Sequence, residues 1–126
     1  MNPHNQLPIL HEYLLHMGDT LQEVSPAALR ERGKWSQKLF DLVLDRIEQL
    51  TPGFQSSLVI YLAGDTTRDT DIVAALLAVD RLSAAYTYWT RLFPPRQPDE
   101  SMFVLSLLHD LSDRVEHAIQ LLDSMF

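Results

Sequence analysis

The chain contains no cysteine. That absence removes disulfides, thiolate zinc sites and cysteine nucleophiles together, and it suits a reducing compartment. Glycine is nearly as scarce, with four residues scattered singly. A glycine-rich phosphate loop is therefore missing, as is the G-x-S-x-G turn of serine hydrolases. Positive charge is also short: 10 Lys and Arg stand against 17 Asp and Glu, for a net charge of −7. Such a balance argues against general nucleic-acid binding. No uninterrupted apolar run approaches the ~20 residues of a membrane span, so no membrane association is expected. The opening MNPHNQLPILHEYLLHMGD lacks a positive leader region and a small-residue cleavage site. A secretory signal is not expected there, and the cytoplasm is the simplest location.

What is present points to an all-α protein. The 126 residues, 46% apolar and 21% charged, suit a single domain over 1–126 with one core. Thr70–Phe93 has only four charged residues (Asp71, Asp80, Arg81, Arg91) and neither Gly nor Pro. Ala75, Val79, Leu82, Tyr86, Trp89 and Phe93 recur at alternating spacings of four and three, one face of a helix. Val73, Leu77, Ala84, Tyr88 and Leu92 make the other side apolar too. A helix apolar nearly all round is normally buried, so 70–93 is expected to be the centre of an antiparallel bundle of about five helices.

The other elements follow from spacing and punctuation. Residues 1–6 are polar and expected to fray. Leu7, Leu10, Leu14, Met17, Leu21 and Val24 define a first amphipathic helix, with Pro8 in its first turn and Gly18 as a weak point. Ser25-Pro26 signals the start of a second helix, which runs to about Leu50 with Trp35, Leu39, Phe40, Leu42, Val43, Ile47 and Leu50 as its buried stripe. Thr51-Pro52-Gly53 is expected to end it. Phe54–Gly64 has strand-like content but no strand partner, and the spacing of Phe54, Leu58 and Leu62 favours a short helix. Asp69 is the expected cap of the 70–93 helix, and PPRQP at 94–98 closes it. From Asp99, a strict seam of Val104, Leu108, Leu111, Val115, Ala118, Leu122 and Met125 marks the last helix.

Chemistry-bearing patterns are few. His109, Asp113 and His117 fall at i, i+4 and i+8, on the face opposite that seam. A surface transition-metal site or a phosphorylatable histidine is one reading. A solvated stripe continued by Ser106, Gln120 and Ser124 is the reading preferred, since one helix supplies neither further ligands nor a supporting shell. His109-Asp110-Leu111 resembles the His box of sensor-kinase dimerisation domains. That resemblance implies a phosphate-accepting His109, although the proline that often follows in that box is missing. His11 and His16 are five apart rather than four, so HEYLLH is not the zinc-binding H-E-x-x-H. Asp65, Asp69 and Asp71 crowd one loop, but Thr70 and Leu76 stand where an EF-hand needs Gly and Glu. The Glu-x-x-His pairs of di-metal bundles are absent too.

Charge is uneven along the chain. Arg30, Arg32, Lys34 and Lys38 around Glu31 form a basic cluster, whereas Asp99, Glu100, Asp110, Asp113, Glu116 and Asp123 meet only Arg114 in residues 97–126. Asp110, Asp113, Glu116 and Asp123 are thus candidates to engage a partner with a basic surface. Leu77, Tyr88 and Leu92 are candidates for self-association, with a homodimer expected, because the shorter helices offer them little cover. With catalytic signals scarce, the expected function is a non-enzymatic protein-interaction module acting as an adaptor, a chaperone-like partner or a small inhibitor. No cofactor is expected. The alternatives are a histidine phosphotransfer-like domain using His109 and a metal-dependent helical enzyme using His109 and His117.

Overall fold

The computed structural model describes residues 5–25, 28, 37–92 and 98–125. Four helices appear among them: α1 Gln6–Gln22, α2 Gln37–Leu62, α3 Thr70–Leu92 and α4 Pro98–Asp123. The all-α bundle is as expected, but about five helices are not found among the described residues. Each helix packs on two neighbours, α1 on α2 and α4, and α3 on α2 and α4, while the diagonal pairs touch little. The 70–93 helix is therefore one wall of a closed square rather than its centre. Cross-helix pairs show the directions. His11 meets Asp123, Gly18 faces Val115 and Ile119, and His109 meets Val24. Along α2 and α3, Gln55 meets Asp80 and Glu48 meets Arg91. One member rises as the other falls in every case, so these neighbours are antiparallel.

α1 follows its spacing closely: Leu7, Leu10, Leu14, Met17, Leu21 and Val24 are all buried. Gln6 is buried as well and already helical, so helical order begins within the stretch expected to fray; residues 1–4 lie outside the described set. Ser25 accepts a bond from the Ala28 backbone N–H at 3.2 Å, the capping contact implied by Ser25-Pro26. Trp35 and the cluster Arg30, Arg32 and Lys34 lie outside the described residues.

The largest departure is in α2. Thr51-Pro52-Gly53 does not end the helix, and the separate segment expected at 54–63 is its second half. Proline deprives the Glu48 carbonyl of its usual donor and crowds the preceding turn, a cost of about 3 kcal/mol in an isolated helix. Packing compensates on both sides of the defect, since Ile47, Phe54 and Tyr61 are fully buried. Thr51 also donates its hydroxyl to the Ile47 carbonyl at 2.7 Å. Next in sequence, Gly53 leaves room for the Tyr13 ring of α1, which would overlap any Cβ built there. Leu42, expected in the stripe, is exposed instead.

α3 buries Ile72, Ala75, Leu76, Val79, Ser83, Tyr86 and Thr90, while on its second apolar side Val73 and Leu77 are half-buried and Ala84 and Tyr88 exposed. Asp69 stands just before it, with its carbonyl taking the Val73 N–H at 2.9 Å and its carboxylate taking the Tyr61 hydroxyl at 2.9 Å. Burial first, and then that bond to Asp69, hold the Tyr61 phenol above the ordinary tyrosine range. Thr90 resolves its burial by donating to the Tyr86 carbonyl at 2.7 Å. Ser83, equally enclosed, has no partner for its hydroxyl among the described residues. In α4 the seam Leu108, Leu111, Val115, Ala118 and Leu122 is buried as expected, but Met125 is exposed. The side chain of Val104 lies outside the described set. No helix among the described residues is long and apolar enough to cross a membrane.

Two glycines in helices should respond in opposite ways. A Cβ on Gly18 would sit 3.7 Å from Val115 and Ile119, an ordinary contact, so Gly18→Ala should stabilise by about 1 kcal/mol through helix propensity. Gly53→Ala should destabilise by about 1–3 kcal/mol by displacing Tyr13, and it should become stabilising in a Tyr13→Ala background. Urea unfolding of the native protein and the four variants checks both signs, and a stabilising Gly53→Ala in the native background would refute the Tyr13 contact.

Ser83→Ala should raise stability by about 1–2 kcal/mol, because it removes a buried, unsatisfied hydroxyl at nearly constant volume. Calorimetry should show a Tm rise of several degrees. A lower Tm would mean that the hydroxyl has a partner in solution.

Candidate functional site

The histidine column does not gather into a metal-holding group among the described residues. Nε2 of His109 lies 3.3 Å from the Val24 carbonyl, an acceptor, so the ring donates there. Half-buried, His109 thus pins the end of α1 to α4. Asp113 and His117 are exposed. Among the described residues no three His, Asp or Glu side chains gather where they could hold a metal. His117 instead lines a shallow groove of about 370 Å³ between α3 and α4, with Arg114 and Asp71 at its sides and Ala74, Ala75 and Ala78 on its floor.

The acidic candidates Asp110, Asp113, Glu116 and Asp123 are all exposed on α4, but the stripe is interrupted. Asp123 accepts a 2.7 Å hydrogen bond from His11 of α1. Asp110 and Asp113 share a groove with Arg114 and His117.

A more continuous surface lies where α2 and α3 meet. Glu48, Thr51, Pro52 and Gln55 line one side of a groove of about 400 Å³, and Ala84, Thr87, Tyr88 and Arg91 line the other. Two polar contacts fasten its walls: Arg91 Nε donates to Glu48 Oε1 at 2.8 Å, and Gln55 Nε2 donates to Asp80 Oδ1 at 3.0 Å. Between them the lining offers little chemistry. The Thr51 hydroxyl bonds to the Ile47 carbonyl, and the Thr87 hydroxyl to the Ser83 and Ala84 carbonyls, both at 3.1 Å. Neither hydroxyl is paired with a histidine or carboxylate that would activate it as a nucleophile. Beneath the groove, Tyr86 is buried. Its phenol is held above the ordinary range, first by burial and then by the charges of Glu48 and Asp41.

Large apolar side chains stand out around this groove. Tyr88 is 59% exposed, and Val59, one turn beyond Gln55, is 67% exposed. Of the self-association candidates, Tyr88 is thus at the surface, whereas Leu77 is half-buried against the core. The side chain of Leu92 lies outside the described residues. Val59 and Pro52 were not singled out from the sequence. Their signal was concealed by the expected break at 51–53, which hides that 52, 55 and 59 share one row of a continuous helix. Comparison with protein-family models, with curated proteins and with solved structures found no match to this chain.

His109→Ala should cost about 1 kcal/mol in urea unfolding by releasing the Val24 carbonyl. Added zinc should leave the Tm of the native protein unchanged. Saturation at 100-fold above a dissociation constant would add about 2.7 kcal/mol, and a zinc-induced rise of several degrees that vanishes in His117→Ala would reinstate a metal site.

Proposed function

We propose that this chain is a non-enzymatic protein-interaction module whose contact surface is the outward face of α2 and α3. One observation carries this reading. Val59 and Tyr88 are two of the most exposed large apolar side chains; Tyr88 lines, and Val59 stands one turn of α2 beyond, a groove whose threonine hydroxyls are bonded to their own helices. A surface of that kind offers area to bury and few groups to react. Its partner is another protein, and dimerisation through α3 is one use of the same face. Tyr88 is the anchor, because a tyrosine buries a rigid ring while its hydroxyl stays at a wet rim. The exposed acids of α4 favour a partner that carries basic side chains beside its apolar contact. An adaptor, a chaperone-like partner and a small inhibitor all fit this description.

The test is capture from the native host with immobilised wild-type chain, compared with Val59→Glu/Tyr88→Glu and with Gln22→Ala, exposed on α1, as a control. Both substituted positions are at the surface, so the double variant should keep its helical circular dichroism. It should lose a specifically bound protein by about 30-fold or more, the effect of removing an interface anchor worth about 2 kcal/mol. Undiminished capture by the folded double variant would refute this surface.

A further inference from the structure

The outward ridge of α3 has an internal symmetry that a general docking surface does not need. At about 100° per residue, Ala74, Leu77, Ala78, Ala84, Ala85, Tyr88 and Leu92 all fall within about 60° of Arg81 around the helix. Arg81, Ala84 and Tyr88 are exposed and Ala85 is half-buried. Arg81 and Tyr88 lie two turns apart, equally far from the midpoint between Ala84 and Ala85. One end of the ridge thus carries a cation and the other an aromatic ring, with small side chains between them.

We propose that two copies of this chain pair through α3 in an antiparallel arrangement, with Ala84 of each on Ala85 of the other and Arg81 over the partner's Tyr88. This rests on reading the α2–α3 face as an interaction surface, and it names the occupant of that face. A two-fold interface is self-complementary: if residue i meets j, then j meets i. Antiparallel alignment about the Ala84–Ala85 midpoint satisfies that condition, placing Arg81 opposite Tyr88 twice. The guanidinium then lies against the negative face of the phenol ring, a cation–π contact that strengthens as water is excluded. At the centre of the seam the alanines carry no long side chain, so the helix axes can approach there between the two Arg81–Tyr88 pairs.

Charge supports a second copy as the occupant. Two chains of net charge −7 repel over most of their surfaces, but the outward side of α3 is where acid is missing. Between Ile72 and Arg91 the only carboxylate is Asp80, and it accepts a bond from Gln55. The ion pairs among the described residues are His11–Asp123, His16–Glu12 and Arg91–Glu48. Arg81 takes part in none of them and stays available to a partner ring. Ala84 and Tyr88 also line the groove whose other wall contains Pro52, so the area available extends from the ridge onto α2.

The lack of cysteine makes single-cysteine variants clean probes of this register. Light scattering after size exclusion at about 100 µM should give twice the 14.4 kDa chain mass. Oxidised Ala84→Cys should run as a covalent dimer. Ala74→Cys should not, because at 1.5 Å per residue its two copies lie about 30 Å apart, beyond disulfide reach. Arg81→Glu should weaken the dimer about tenfold or more, and Arg81→Glu/Tyr88→Lys should restore it by replacing the cation–π contact with an ion pair. Any one of four results overturns the pairing: a wild-type monomer at that concentration, cross-linking at Ala74→Cys, an unaffected Arg81→Glu dimer, or a folded double variant that stays monomeric. A monomer that still captures a host protein through Val59 and Tyr88 would defeat the pairing alone, whereas loss of the captured protein's dependence on those residues would defeat the module reading.

Discussion

The burial of Ile47, Phe54 and Tyr61 on one continuous helix, with the Tyr13 ring against the bare backbone of Gly53, is the constraint on which the four-walled arrangement depends. The Tyr13 contact sits beside the one position, Pro52, where α2 would be expected to divide. A divided α2 would give two short helices, each too short to cover a wall alone. Continuous through residues 37–62, it instead spans about 39 Å at 1.5 Å per residue and matches α4 in length. The closed square of four antiparallel helices then follows, and α3 becomes a wall with an outward side. An α3 enclosed on all sides would have no face to offer a partner.

Polar groups inside the bundle are satisfied locally for the most part, and this determines what its surface can do. Thr20, Thr51, Thr87 and Thr90 turn their hydroxyls back onto carbonyls of their own helices. Such bonds let a β-branched polar residue occupy a packed helix without an orphaned group. They also withdraw those hydroxyls from reaction. His109 is withdrawn in a similar way by the Val24 carbonyl. The outward face of α3 keeps exposed Arg81, which takes part in no ion pair among the described residues, together with Ala84 and Tyr88.

The helical seams were legible in the chain itself. Helix periodicity projects every third or fourth residue to one side, and water drives that side inward whatever it meets. The buried rows of α1 and α4 therefore follow from spacing, as does the absence of thiol chemistry and of phosphate loops. Spacing cannot say whether a local defect is tolerated, because that depends on a distant residue. Pro52-Gly53 reads as a break until Tyr13, forty residues earlier in the chain, is placed over it. Nor can spacing rank two apolar faces of one helix. Only the positions of α2 and α4 decide that Ile72, Leu76 and Val79 turn inward while Ala84 and Tyr88 face solvent. The ionisable column on α4 divides for the same reason: His109 lies within reach of α1, and His117 does not. Periodicity is a property of one helix and is written in its sequence. Exposure is a property of neighbours and exists only once the four helices have packed.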